Sequence, residues 1–174
     1  TRVYRICPQE KCAVIPVGLD FGWTRDLAAF RTILRREVGV PEDCLAVGIV
    51  GRLTAIKNHE LFLRAASACR IPNARFFVIG DGERRDELNA LSDRLGLNGR
   101  VVFTGWQRDL AKIYADLDIS CLTSLNEGTP VALMEAMAAG IPVVAPEIGG
   151  VGDLMTGSST VHAADNAAPA HHVD

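Results

Sequence analysis

No stretch of this sequence is apolar for long enough to cross a bilayer. The longest candidate, Val131 to Ala145, is interrupted by Glu135, Gly140 and Pro142 and falls short of the ~20 residues that a spanning helix needs. An excess of one charge is also lacking. The formal net charge of −3 gives no electrostatic footing for nucleic acid or an anionic membrane. Metal-ligand spacing is absent too. The five cysteines (Cys7, Cys12, Cys44, Cys69 and Cys121) include no C-x-x-C pair. The four histidines (His59, His162, His171 and His172) form no ligand pattern. Reduced, structural thiols in a cytoplasmic protein are therefore expected, with no metal. The chain opens at Thr1 without an initiator Met or a signal-peptide pattern, so it reads as a piece of a longer protein. Two phosphate-binding motifs are missing as well. There is no G-x-x-x-x-G-K-[ST], and GDGERR (80–85) has Arg85 where a dinucleotide fingerprint has its third glycine.

What is present is an ordinary globular composition, 48% hydrophobic and 22% charged over 174 residues, enough for one domain with a real core. Short apolar runs alternate with helical periodicity. LAVGIV (45–50), RFFVIG (75–80), RVVFTG (100–105), DISCLT (118–123) and PVVA (142–145) read as buried strands, with AVIPV (13–17) as a first one. Helical spacing relates Phe62, Ala65, Ala66 and Cys69, then Leu88, Leu91 and Leu95, then Leu110, Ile113 and Leu117. An earlier helix is expected to carry Leu27, Phe30, Leu34 and Val38 and to stop at Gly39. Strand–helix alternation with continuously apolar strands predicts an α/β fold, a parallel sheet covered on both faces as a Rossmann-like three-layer sandwich. Residues 1–156 are expected to form that domain, and 157–174 an irregular or disordered tail.

In such sheets ligands bind beyond the carboxyl ends of the strands. Arg52 follows the strand over 45–50 after a single residue, Gly51, and Lys57 stands at the start of the next helix. A helix N-terminus repels cations, so Lys57 is locally unfavourable unless an anion also binds there. Arg and Lys reaching one rim suit a diphosphate; two solvated surface cations are the bland alternative.

Within NEGTPVALMEAMAAGIPVVAP (126–146), Glu135 is the only charge between Thr129 and Pro146. A carboxylate among Val131, Leu133, Met134, Met137 and Ile141 is costly unless something binds it. Pro130 suits the first turn of a helix ending near Gly140, whose N-terminal N–H groups from Val131 onward would cradle an anion. Glu127 lies eight positions before Glu135, about 12 Å if wholly helical. The spacing fixes no acid/base pair, but it suits two acceptors gripping hydroxyls at different ends of one ligand. Pairing of Glu135 with a buried arginine stays open.

Four stretches, VGIVGRLTAIKNHELFLRAA, FFVIGDGERRDEL, RVVFTGWQRDLAKIYADLDI and SLNEGTPVALMEAMAAGIPVVAPEIGGVGDLM, resemble in order the C-terminal, donor-binding domain of family-4 retaining glycosyltransferases of the GT-B fold. The match runs roughly from Val14 to Met155. It implies the C-terminal half of a GT-B fold that binds a nucleotide sugar for transfer to a glycan or other acceptor. Arg52 and Lys57, beside Gly51, would hold the diphosphate. Glu127 would bind sugar hydroxyls near the reacting carbon, and Glu135 the ribose hydroxyls. Gly128, Thr129, Val131 and Ala132 would supply backbone contacts, and Trp106 and Gln107 would lie against the base. The resemblance implies no metal and no cofactor besides the nucleotide-sugar substrate. It also implies a missing N-terminal acceptor-binding domain, so that the isolated chain is inactive and any membrane association is left to that domain. A GT-B epimerase acting at C2 of a nucleotide sugar, or a non-catalytic nucleotide-binding domain, would share these features.

Overall fold

The computed structural model describes residues 17–155 together with Pro8, Lys11, Ala13 and Ile15. The segment expected to be a tail, 157–174, lies outside them. After a 3₁₀ segment, Gly22–Phe30, strands and helices alternate as the apolar periodicity predicts. They are α1 (Ile33–Glu37), β1 (Leu45–Val50), α2 (His59–Ala68), β2 (Ala74–Ile79), α3 (Arg85–Arg94), β3 (Val101–Gly105), α4 (Leu110–Ala115), β4 (Ile119–Cys121), α5 (Val131–Ala138), β5 (Val143–Val144) and α6 (Val151–Met155). The five strands form one sheet in the order β3-β2-β1-β4-β5, and every neighbouring pair is parallel.

Strand side chains alternate between faces, and both faces here are buried, which is why the strands read as continuous apolar runs. Ala46, Phe77 and Ile79 point to one side, where Leu34 of α1, Ile113 and Tyr114 of α4 and Ala136 of α5 complete a core. Ile49, Phe76 and Val78 point to the other and meet Phe62, Leu63 and Ala66 of α2 and Leu88 of α3. A third, smaller cluster joins Leu122, Leu133 and Val151 beneath α5 and α6. A three-layer α/β sandwich results, as expected.

Two expectations are corrected. The single helix expected through Leu27, Phe30, Leu34 and Val38 is two pieces, because Thr32 adopts a left-handed conformation with φ 67°. The break follows from a tertiary contact. Asp116, at the end of α4, is fully buried, and its carboxylate accepts hydrogen bonds from the backbone N–H of Thr32 and, at 3.0 Å, of Arg35. The chain must turn at Thr32 to present both groups. The buried Arg35 then locks this corner, donating to Asp118 Oδ2 at 2.8 Å and to the carbonyls of Asp116 at 2.7 Å and Cys44 at 2.9 Å. The strand expected at 13–17 is likewise not formed at Ala13, Ile15 or Val17. Ile15 is 87% exposed, and among the described residues none of the three has a ladder partner, without which an apolar run cannot be a strand.

Candidate functional site

The strand order reverses beside β1. Its chain continuation runs to β2 and β3 on one side, while β4 and β5 lie on the other. The loops leaving β1 and β4 therefore stand side by side at the carboxyl edge of a topological switch point, the place where open α/β sheets take ligands in a crevice. Both loops carry the residues singled out from the sequence.

The β1 loop passes through Gly51, Arg52 and a 3₁₀ turn, Ala55–Lys57, before Asn58, with φ 49°, redirects the chain into α2. It is fastened from below and from the side. Gly51 N–H donates to Ile79 O at 2.9 Å and Leu53 N–H to Asp81 O at 3.0 Å. A Cβ on Gly80 would stand 2.1 Å from Gly51 O, so the glycine permits this approach of two backbones. Across the crevice, Leu125 N–H donates to Ile56 O at 2.8 Å. The Thr123 hydroxyl lies 3.0 Å from the carbonyl oxygens of both Lys57 and Asn58. The β1 and β4 loops are thereby held in fixed relation.

Lys57 and Glu127 meet directly, Nζ to Oε1 at 2.5 Å. Ser124 Oγ donates to the same carboxylate oxygen at 2.6 Å. Only 8% of the Glu127 side chain is exposed. This is the anion that makes a cation tolerable at the start of α2. The cost anticipated for Lys57 is offset within the chain itself. Arg52 is not drawn into the pair. It is 75% exposed, and its nearest acid is Glu83 at 3.8 Å. Trp106 is also exposed, at 69%, and Gln107 donates to Thr104 O at 3.3 Å.

Helix α5 starts at Val131 behind Pro130. The expected cradle is smaller than foreseen. Val131 N–H turns back onto Thr129 O at 2.9 Å, because the turn at Pro130 closes tightly. Among the described residues the N–H groups of Gly128, Thr129 and Ala132 donate to nothing and remain as the anion-seeking groups. The loop before α5 rests on Gly149 and Gly150. Gly150 N–H donates to Glu127 O at 3.0 Å, and a Cβ at either glycine would approach the carbonyls of Glu127 or Gly128 to 2.0 and 2.1 Å.

Glu135 has a partner inside the chain, and it is no arginine. The Tyr114 hydroxyl lies 2.8 Å from Glu135 Oε2 and 3.1 Å from Ala132 O; the charged acceptor is the stronger of the two. Burial, and then the negative charge of Glu135 and its hydrogen bond, push the Tyr114 phenol far up, so it is a permanent donor. The buried arginine, Arg35, serves Asp116 and Asp118 instead. Tyr114 is absent from the sequence reading, which takes only Leu110, Ile113 and Leu117 from this helix. A buried phenol always needs a polar partner, and that was the available signal. His59 was likewise passed over. It is 1% exposed, neither ring nitrogen has a hydrogen-bond partner among the described residues, and burial, helped by Lys57 and Arg84, lowers its pKa to about 4. It is a neutral imidazole under the β1 loop.

At its switch point the parallel α/β sheet thus brings together a lysine, a buried acid and unpaired N–H groups of the loop before α5 and its first turn, an arrangement that suits an anionic ligand. The comparisons with known proteins name the family. The profile of the family described as glycosyl transferases group 1 matches residues 45–173, and the chain belongs to that family. It is 34% identical over 154 residues to an uncharacterized glycosyltransferase of Methanocaldococcus jannaschii, covering 85% of this chain and 39% of that protein. It is 32% identical over 146 residues to the Escherichia coli UDP-Gal:alpha-D-GlcNAc-diphosphoundecaprenol alpha-1,3-galactosyltransferase, covering 80% of this chain and 38% of that one. Among solved structures, Anabaena HepE, crystallised with UDP and with UDP-glucose, superposes with a TM-score of 0.72 at 31% identity, covering 79% of this chain and 39% of HepE. The fold is that of the C-terminal half of GT-B glycosyltransferases. The chain spans about two fifths of the length of these relatives. Among the described residues no helix is long and apolar enough to cross a membrane.

Proposed function

We propose that this chain binds the nucleotide-sugar donor of a retaining glycosyltransferase. The observation that carries the reading is the convergence of Lys57, Glu127 and the unpaired N–H groups of Gly128, Thr129 and Ala132 at the sheet's switch point. In this reading Lys57, those N–H groups and the exposed, movable Arg52 hold the diphosphate. Glu127 accepts from sugar hydroxyls, Glu135 from the ribose, and Trp106 with Gln107 covers the base. When the bond between the anomeric carbon and the β-phosphate oxygen breaks, negative charge accumulates on the diphosphate, and the same cation and N–H groups stabilise it. The likeness to HepE, crystallised with UDP and UDP-glucose, supports the assignment. In this reading Arg52, Lys57 and the unpaired N–H groups meet the diphosphate charge without a metal ion. Transfer itself needs an acceptor held in line and shielded from water, which we assign to a further domain, so this chain alone is expected to show at most slow donor hydrolysis.

Calorimetric titration of the chain with UDP, GDP and ADP in the presence of EDTA tests the reading. At least one should bind. Absence of heat from all three, with folding verified by circular dichroism, removes the donor-site assignment.

A further inference from the structure

We infer that Glu127 makes the site prefer an intact nucleotide sugar over the nucleoside diphosphate left after transfer. The inference rests on the donor-site reading and adds to it. Glu127 and Lys57 are assigned to different parts of the donor, yet in the structure they hold each other at 2.5 Å. The carboxylate is almost wholly buried, and Lys57 is the only described cation in contact with it. A phosphate that reaches Lys57 therefore arrives beside a fixed negative charge, where screening by solvent is weak. Lys57 must divide its attraction between two anions.

The two carboxylate oxygens are not equivalent. Oε1 takes both the Lys57 and the Ser124 bonds. Oε2 accepts no hydrogen bond among the described residues and is not sealed from solvent. A sugar on the diphosphate brings hydroxyl donors to Oε2 and so offsets the repulsion that its own phosphates meet. A bare nucleoside diphosphate brings the repulsion without the donors. The same pair that binds the donor thus weakens the hold on the product and favours its release. Ser124 acts as a positioning residue, keeping Oε1 turned inward and Oε2 outward.

The test is a set of dissociation constants for the full 174-residue chain and its Glu127→Gln variant. The probes are UDP, UDP-glucose, UDP-galactose, GDP, GDP-mannose, ADP and ADP-glucose. The wild type should bind the best nucleotide sugar of the preferred base more tightly than the matching nucleoside diphosphate. Glu127→Gln keeps a side chain that can accept from Lys57 and Ser124 but removes the charge. It should bind the nucleoside diphosphate about fivefold to tenfold more tightly and the nucleotide sugar no more tightly, so that the preference falls by about that factor. In a Lys57→Ala background the nucleoside diphosphate should bind more weakly overall, and Glu127→Gln should still bind it more tightly than the protein that keeps Glu127, because the repulsion is between carboxylate and phosphate. The inference is overturned if Glu127→Gln binds the nucleoside diphosphate equally or more weakly. It is also overturned, with no variant needed, if the wild type prefers the nucleoside diphosphate to every sugar of that base. Either result, with Lys57-dependent diphosphate binding intact, leaves the donor site standing. Binding of no probe at all by the wild type removes both.

Discussion

Acidification should expose the one buried group that the site holds neutral without a partner. His59 opens α2, where the helix dipole and the nearby Lys57 and Arg84 oppose a positive charge. Its pKa falls from 6.5 to about 4, chiefly through burial. In the unfolded chain the imidazole takes up its proton as the pH falls through 6.5, whereas in the fold it stays neutral until about pH 4. Between those values the unfolded state binds more protons, so the stability contribution is full above 6.5 and is lost as the pH drops. Linkage gives a loss of about 2 kcal/mol between pH 7 and pH 5, and about 3 kcal/mol when protonation of the fold is complete. Asp118 does not confuse this window. Burial alone would raise its carboxyl, but the Ala46 N–H bond and then Arg31 and Arg35 hold it below 3.8. The clean comparison is wild type against His59→Leu, by urea denaturation at both pH values. At pH 7 the variant should be as stable or more stable, since two buried nitrogens without partners are removed. From pH 7 to pH 5 it should lose about 2 kcal/mol less than the wild type. Equal losses would refute the reasoning and show that the imidazolium finds a partner.

Lys57→Ala should weaken nucleoside diphosphate binding by about 1.5–3 kcal/mol in calorimetry. It should also lower stability by about 1–2 kcal/mol, because Glu127 is left buried with Ser124 alone; unchanged stability with unchanged binding would place Lys57 outside the site. Glu135→Gln should leave the melting temperature nearly unchanged, since an amide still accepts from Tyr114. The same variant should cost about 1.5–3 kcal/mol of affinity for a nucleoside diphosphate but little for its 2′,3′-dideoxy analogue; equal effects on both ligands would show that Glu135 does not hold the ribose. Asp116→Ala strips the acceptor from the Thr32 and Arg35 N–H groups and should destabilise the fold by about 3 kcal/mol in denaturant titration. A cost below about 1 kcal/mol would mean that Asp118 alone secures Arg35.

The sheet was legible because both of its faces are buried. An apolar run such as LAVGIV needs no tertiary information to be read as β1, and it occupies the same residues in the structure. Lys57 was likewise legible, as a cation that a helix start could not excuse, and Glu127 through its spacing from Glu135 and the family resemblance. Their pairing was not, since it joins residues seventy positions apart, and no periodicity reports contacts at that separation. The break at Thr32 escaped for the same reason: its cause, Asp116, lies 84 positions away. Glu135 was recognised as needing a partner, but the Tyr114 phenol that serves it lies 21 positions away, beside Ile113 on α4, where nothing in the local sequence marks it as polar in role.

The central claim, a donor site at the β1–β4 crevice, is met most directly by a crystal structure of the chain with UDP bound. The account predicts the diphosphate within hydrogen-bonding distance of Lys57 Nζ and of the Gly128, Thr129 or Ala132 N–H groups, with the ribose hydroxyls on the Glu135 carboxylate. UDP seated elsewhere on the molecule, or in the crevice with its ribose turned away from Glu135, would contradict it.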